Sequence, residues 1–587
     1  MSDVFLGHLK DQSEFCIPKR AFQTHFHLIG GTGKGKTTAI HTMLHPLLRD
    51  HRDPSAFFIV DRMGNLSWEL LLWINSKFCP QSVRDRVIYI EPAREDFVMG
   101  LNPLVYDTLQ HGFFKVQRAT DIILRAWESV NLEAMPRLAR WTFNAFWAAA
   151  QLGLTIADCQ HLLMPGSVYH KALLNALPPL LQAEWREIQR GGNEAGRILE
   201  SSRNRLKPYF EAPVLRRMFG TTKGGLDVLR FMKEGRIVIL NLAPQNRLSE
   251  QLGDAIGALV INEVLANARS LPMGVRYPTY LLLDEFQNFV GPDLESALPE
   301  VRQLAIRLIL SHQSFAQLKR GDYDLTSMIW QAQSRIAFGV QGEDADILGH
   351  ELGSITYNPK RIKDEMYSTR QKLVGHEKIT LNSWGEAAME AESWDKKYGE
   401  GWSSNDSKAK RDRSIIETNT HADMRSRNEQ QGKGGSTSHS HQKGQAEHLL
   451  PIHQEVQELS RKTFYTGDEW DRVWAKRARL LPTGVALARL VDDPRLYKVF
   501  VERSAIGYLG WDAAVLRRKL PHIIDEVHAF IEENFRSEFF VTPDVIERET
   551  EERLNAILNP PIKILTARTD LSGGSAAKVP QEIFAPD

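Results

Sequence analysis

Eight residues near the start of the chain carry the spacing of a phosphate cradle: Gly30, four residues, then Gly35, Lys36 and Thr37. This is the Walker A form. Glycines allow successive backbone N–H groups to turn toward phosphate oxygens with no Cβ in the way, and a helix opening at the end of the loop adds its dipole. Lys36 is placed to reach the β and γ phosphates, and the Thr37 hydroxyl to ligate Mg2+. Gly30, Gly31, Thr32, Gly33, Lys34, Gly35, Lys36, Thr37 and Thr38 are therefore the expected nucleotide-binding residues, with ATP and Mg2+ as cofactors.

A second constellation supplies what hydrolysis needs beyond binding. Tyr280-Leu281-Leu282-Leu283-Asp284-Glu285 reads as an apolar strand ending in two carboxylates, the Walker B form. Asp284 is expected in the magnesium shell, and Glu285 is placed to polarise the attacking water. A further strand, Ile306 to Leu310, leads into Ser311-His312-Gln313. A polar side chain at such a strand tip can report loss of the γ phosphate, which makes Gln313 the candidate sensor. Arg302, eleven residues earlier, is either an ordinary surface arginine or an arginine finger donated to a neighbouring subunit. His25 and His27, beside the first strand, read as packing or surface residues.

The elements that must position these groups are legible as apolar runs. Phe26 to Ile29 precedes the glycine turn, and Ile40, Met43, Leu44, Leu47 and Leu48 mark one face of the helix after it, with Pro46 expected to distort its end. Runs at Ala56 to Val60, Val87 to Ile90, Ile237 to Leu242 and Arg335 to Val340 lack polar alternation, as expected for strands covered on both faces. The fold class that follows is α/β: a P-loop core with a largely parallel sheet, an inserted all-α domain, and a C-terminal α/β-hairpin region.

The expected organisation is a short segment over 1–20, a first part of the core over 21–112, and a helical insertion over 113–222. The core resumes over 223–381, and a polar, flexible insertion occupies 382–448. Residues 449–505 complete the core with a β-hairpin, and a helical region and tail fill 506–587.

Composition narrows the function classes. At 587 residues, with 42% hydrophobic and 25% charged, the chain is too long for one core and too apolar to be wholly disordered. Lysine plus arginine equals aspartate plus glutamate at 73 each, so no global field draws in nucleic acid, and any such contact must be local. Candidate local clusters are Arg203, Arg205 and Lys207, then Arg216 and Arg217, then Lys408 to Arg413, then Lys476 to Arg479. Three cysteines frame neither disulfides nor a zinc site. The start of the chain lacks a secretory signal and no run is long enough to span a membrane. A cytoplasmic location is expected, with any membrane contact supplied by a partner at the inner face.

Taken in order, Gly30 to Thr37, Asp61-Arg62-Met63-Gly64-Asn65, Leu101-Asn102-Pro103-Leu104, Asp284-Glu285-Phe286-Gln287 and Leu308 to Gln313 resemble the HerA and FtsK superfamily of RecA-like, hexameric DNA motors. Within it the chain is most similar to the TraG and TraD type IV secretion coupling proteins. The resemblance implies a RecA-like core, ATP bound between subunits of a homo-oligomer, a hexamer by that likeness, and DNA as the moved partner, single- or double-stranded. It matches Arg302 to the arginine finger and Gln313 to the sensor. It implies a relaxase or secretion partner or, on a HerA-like reading, a nuclease partner in repair or anti-phage defence. A protein-recruiting ATPase that does not act on DNA is the reading from a different class. Twenty-nine residues precede Gly30, where coupling proteins carry transmembrane helices. Lys34 stands where the family favours serine, and Arg62-Met63 where it favours Pro-Lys.

Overall fold

The computed structural model describes residues 3–50, 55–106, 108–125, 135–190, 193–244, 247–289, 300–320, 323–389, 405–411, 414–420, 438–503 and 506–559. Two units emerge. The first comprises Met1–Asn358 with Thr466–Asp587, the second Pro359–Tyr465.

The first unit is built on an eleven-stranded sheet. Its early strands are β1 Val4–His8, β2 Glu14–Ile17, β3 Phe26–Ile29, β4 Ala56–Asp61, β5 Val87–Ile90, β6 Ile237–Asn241, β7 Thr279–Asp284 and β8 Ile306–His312. A two-residue pair, β9 Lys319–Arg320 and β10 Tyr323–Asp324, lies apart, before β11 Ser334–Ala337. The second unit holds β12 Ile362–Met389, β13 Asn405–Arg411, β14 Ser414–Thr420 and β15 Ser438–Phe464. The chain then returns to the large sheet with β16 Val485–Arg489 and β17 Leu496–Val501. Strand order is β2-β1-β17-β16-β11-β3-β8-β7-β4-β6-β5.

From β11 to β5 every neighbour is parallel, and β3, β4, β5 and β6 are buried at every residue. That is why these segments read as unbroken apolar runs: helices cover both faces, so neither face needs polar residues. Strand β8 separates the strand before the glycine turn from the strand ending in two acids, the RecA-like P-loop arrangement.

Helix α1, Lys36–Leu48, accommodates Pro46 in its last turn. It packs against α2, Asn65–Ile74, through His45, whose ring stacks on Trp73 at 4.2 Å and 8°. Burial, with nearby His41 and Arg49, pushes the His45 pKa down to about 2. Unfolded histidine titrates near 6.5, so below that pH the unfolded chain binds a proton that the folded chain refuses, and stability falls as pH falls. His45→Phe keeps the stack and removes the titration. Urea unfolding at pH 7 and pH 5 should show the variant gaining about 2 kcal/mol on the parent between the two; an unchanged gap would refute the neutral, buried assignment.

Helices from Leu109–Arg125 to Pro213–Met218 form the insertion. The C-terminal helix Pro543–Leu558 is tied to it: Arg553 pairs with Asp158 and Glu549 at 2.9 Å each, and Glu549 accepts from the Thr221 hydroxyl at 2.6 Å. Among the described residues no helix is long and apolar enough to cross a membrane.

The structure departs from the sequence expectation at two places. Residues 1–20 are not a detached segment: β1 and β2 extend the sheet, with Gly7 opposite Val501 and Val4 and Leu6 buried. The polar stretch 382–448, expected as a flexible insertion, is the second place. Its described residues are strands, and Leu449 does not resume the core but belongs to β15, which pairs with β12 along its length. The core resumes after Tyr465. A ribbon held by ladder hydrogen bonds and cross-strand pairs needs no buried face, so its sequence can stay polar. The expected helical tail ends, for the described residues, at Asn559; residues 560–587 lie outside them.

Candidate nucleotide-hydrolysis site

Register brings the sequence motifs to one edge of the sheet. Ile29 faces His312 across β3 and β8, Asp284 faces Ser311 across β7 and β8, and Val60 faces Leu283 across β4 and β7. The residues that follow, Gly30, Gln313, Glu285 and Asp61-Arg62, therefore emerge side by side, with strands spaced ~4.8 Å apart. In open parallel sheets this carboxyl edge is where ligands bind.

The glycine turn is braced from behind. The Gly31 N–H donates to Gly339 O at 2.9 Å, and the Gly484 N–H donates to Lys34 O at 3.0 Å. A Cβ on Gly30 would fall 2.5 Å from that of Phe338, and Gly35 holds φ +114. Both positions thus require glycine, one for space and one for conformation. Lys36 Nζ donates to Gly30 O at 2.6 Å. Burial lowers the Lys36 pKa, against the opposing pull of Glu285 and Asp284.

Glu285 adopts the left-handed conformation, φ 53 and ψ 47, and is buried. A non-glycine residue held there stores strain, of a kind that gathers at functional sites. Its two oxygens are gripped separately: Gln313 Nε2 donates to Oε1 at 2.7 Å, and Gln287 Nε2 to Oε2 at 2.9 Å. The far end of the Gln313 amide, Oε1, accepts from the Thr32 hydroxyl at 2.8 Å. One amide thereby connects the glycine turn to the acid.

Asp284 sits among other acids. Burial first, then the Asp61 and Glu285 carboxylates, pushes its pKa up to about 7. Asp61 is already committed, accepting from the backbone N–H groups of Met63, Gly64 and Ser67 at 3.0, 2.9 and 2.7 Å. Asp284 is left as the carboxylate that a cation would relieve, and hard oxygen donors suit Mg2+. The Thr37 hydroxyl, on the first turn of α1, would be the complementary ligand. A bound Mg2+ would supply charge neutralisation on the phosphate oxygens.

Sequence reasoning quoted Arg62 and Gln287 only as parts of longer motifs, did not single out Gln317, and read His27 as a packing or surface residue. A cavity of about 340 Å3 is lined by Glu285 and Gln313 together with Arg62, Gln287 and Gln317. Arg62 is aimed by Asp254 at 2.7 Å and Glu250 at 2.8 Å. Its position after β4 was the available signal. His27 is more than packing. Arg335 Nε donates to His27 Nδ1 at 2.8 Å, and His27 Nε2 meets His312 Nε2 at 2.7 Å. With Nδ1 accepting, neutral His27 carries its proton on Nε2 and donates it to His312, whose own proton then lies on Nδ1, facing Ser314 O at 3.1 Å. Burial keeps both rings neutral, pushing the His312 pKa to about 3 and that of His27 well down. The chain clamps the backbone on both sides of Gln313. Arg302 does not join this group. It is exposed in the turn before β8, at the end of the strand opposite Gln313.

Two family models match the chain, and several solved structures are similar to it. The family model for the central domain of the helicase HerA matches residues 4–260, and that for the TraM recognition site of TraD and TraG matches residues 278–395. No curated protein matches the chain. Solved structures to which it is similar include the plasmid coupling protein TrwB in complex with ADP and Mg2+, at 16% identity and TM-score 0.48 over 83% of this chain and 88% of that one. TrwB with the ATP analogue ADPNP gives 15% and 0.48 over 86% and 90%. VirB4 of Thermoanaerobacter pseudethanolicus gives 13% and 0.39 over 62% and 93%. The two family-model matches, together with a complete phosphate loop facing an acid pair, support a HerA/FtsK-type, TraG/TraD-like P-loop ATPase.

Proposed function

We propose that this ATPase uses ATP and Mg2+ to move DNA, working as a closed ring of six copies in the manner of a coupling protein. The observation that carries the reading is the Thr32–Gln313–Glu285 chain, which joins the phosphate loop to the acid beside it. In this reading Lys36, now on Gly30 O, transfers to the β and γ phosphates, while Thr37 and Asp284 hold Mg2+. Glu285 orients and polarises the attacking water, and Gln313 exchanges its Thr32 bond for the γ phosphate. The γ phosphate points toward the Glu285 cavity. The nucleoside then leaves on the other side, toward a cavity of about 390 Å3 lined by Thr38, His41, Glu69, Arg503 and Trp511.

Ring assembly is supported by the place of Arg302. Strand β8 is 7 residues long, so this guanidinium starts ~23 Å from the Gln313 end of the strand and can serve a nucleotide only across a subunit boundary. Support for DNA comes from the HerA helicase model and the TraG/TraD match, not from overall charge. Several of the basic side chains are engaged locally: Arg217 with Glu547 at 2.9 Å and Arg479 with Asp346 at 2.6 Å. Repetition around a ring would multiply those left over. A relaxase or a secretion component is the partner class consistent with the TraM-recognition match.

Lys36→Ala tests the chemistry and DNA titration tests the substrate. The variant should lose at least ~100-fold in ATP turnover. The parent should be stimulated by DNA, with the stimulation falling steeply between 50 and 200 mM salt. Undiminished turnover in the variant would displace the site, and indifference to every DNA form would displace the motor.

A further inference from the structure

Strands β12 and β15 form a ribbon only two strands wide, paired from Ile362 with Phe464 to Met389 with Ser438. The 28 residues of β12 extend ~90 Å at 3.3 Å each. A lone two-stranded hairpin is marginal in water, and each outer edge offers a row of unpaired N–H and C=O groups to any strand that fits. Among the described residues neither outer edge is paired with another strand. The ribbon also exposes Met366, Tyr367, Leu373, Leu449, Val456 and Leu459, apolar surface that a neighbouring strand would shield.

We propose that the occupant of these edges is the same ribbon of adjacent copies, the β12 edge of one lying antiparallel on the β15 edge of the next. Charge selects this occupant. The cross-strand ion pairs of the ribbon, Arg370 with Glu458 at 3.5 Å, Lys378 with Glu447 at 3.1 Å and Lys462 with Glu365 at 3.2 Å, all join the outgoing strand to the returning one. In a circular array of hairpins each outgoing strand is flanked on both sides by a returning strand. The complementarity that holds one ribbon is therefore met again between copies, and no new recognition surface is needed. Such a contact is head-to-tail, so it closes only around a ring. The inference rests on the ring proposed above and adds an interface to it.

The test uses the full chain, assembled and diluted. An isolated antiparallel pair leaves alternate amides pointing outward. On assembly those within 366–381 and 447–461 should slow in hydrogen exchange by about a hundredfold. Variants with one added cysteine, in a chain whose Cys16, Cys79 and Cys159 are replaced by alanine, supply the geometry. Thr369→Cys mixed with Gln457→Cys, and with cysteines at Glu455 or Leu459 to allow for stagger, should give covalent dimers under mild oxidation. Each variant alone should not, because β12 never neighbours β12. A ring whose outward amides exchange as freely as in the diluted chain would overturn the ribbon contact and leave the ring intact. A chain that stays monomeric with nucleotide and DNA would overturn both. Protection or cross-linking that appears only when DNA or another protein is added would assign the edges to that molecule and overturn the proposal.

Discussion

Glu285→Gln should leave nucleotide binding intact and lower kcat by about 10²–10⁴, the range expected when a positioned general base is neutralised. The argument is geometric as well as chemical. In the parent both carboxylate oxygens accept, one from Gln313 and one from Gln287. A glutamine there presents an N–H to one of those donors, so one facing amide must flip. If Gln313 flips, its Nε2 turns toward Thr32 and donates to the hydroxyl oxygen, in place of the bond from the Thr32 hydroxyl to Oε1. The substitution thus removes the base while the link to the phosphate loop can re-form with its direction reversed, and because the base acts after binding, KM should move little. Glu285→Asn adds a separate readout. Asparagine tolerates the left-handed region better than most residues, so this variant should be as inactive as Glu285→Gln yet at least as resistant to urea. Retention of more than a tenth of the parental turnover by Glu285→Gln would remove Glu285 from the chemistry.

What could be seen in the sequence was local in the chain. Gly30 to Thr37 is a single turn whose chemistry dictates residue types at fixed spacing, and Asp284-Glu285 lies at the end of a strand buried enough to read as one apolar run. Gln313 was legible because a strand tip beside the acids is itself predictable. The unseen parts depend on partners far along the chain. Arg62 is oriented by Asp254 and Glu250, and nothing near Arg62 announces them. His27, His312 and Arg335 meet because β3, β8 and β11 are adjacent in the sheet, an order that periodicity does not encode. The N-terminal strands were missed for the same reason: the ladder partner of Gly7 is Val501. The ribbon was missed for a different one. Period-two alternation leaves a hydrophobic trace only where one face is buried, and β12 and β15 are exposed along most of their described length.

Arg302→Ala should lower ring turnover by about 10³–10⁵, the contribution an arginine finger makes where it acts in trans. Exposure in the turn before β8 means that the side chain holds no core together, so the variant should fold and bind nucleotide as the parent does. Lys36→Ala is inactive for the complementary reason, having an intact finger and a defective loop. Mixing the two inactive proteins then separates a finger from a surface arginine. At each junction where an Arg302→Ala site faces a Lys36→Ala neighbour, one copy supplies the loop and the other the guanidinium. Random assembly of equal amounts in a closed head-to-tail ring places such a junction at about one interface in four, so the mixture should recover up to about a quarter of parental turnover. Recovery must also fall on dilution below the assembly concentration, since no single copy contains a complete site. If Arg302→Ala alone keeps turnover within tenfold of the parent, or if the mixture recovers nothing while forming rings, the trans contact is made by another residue.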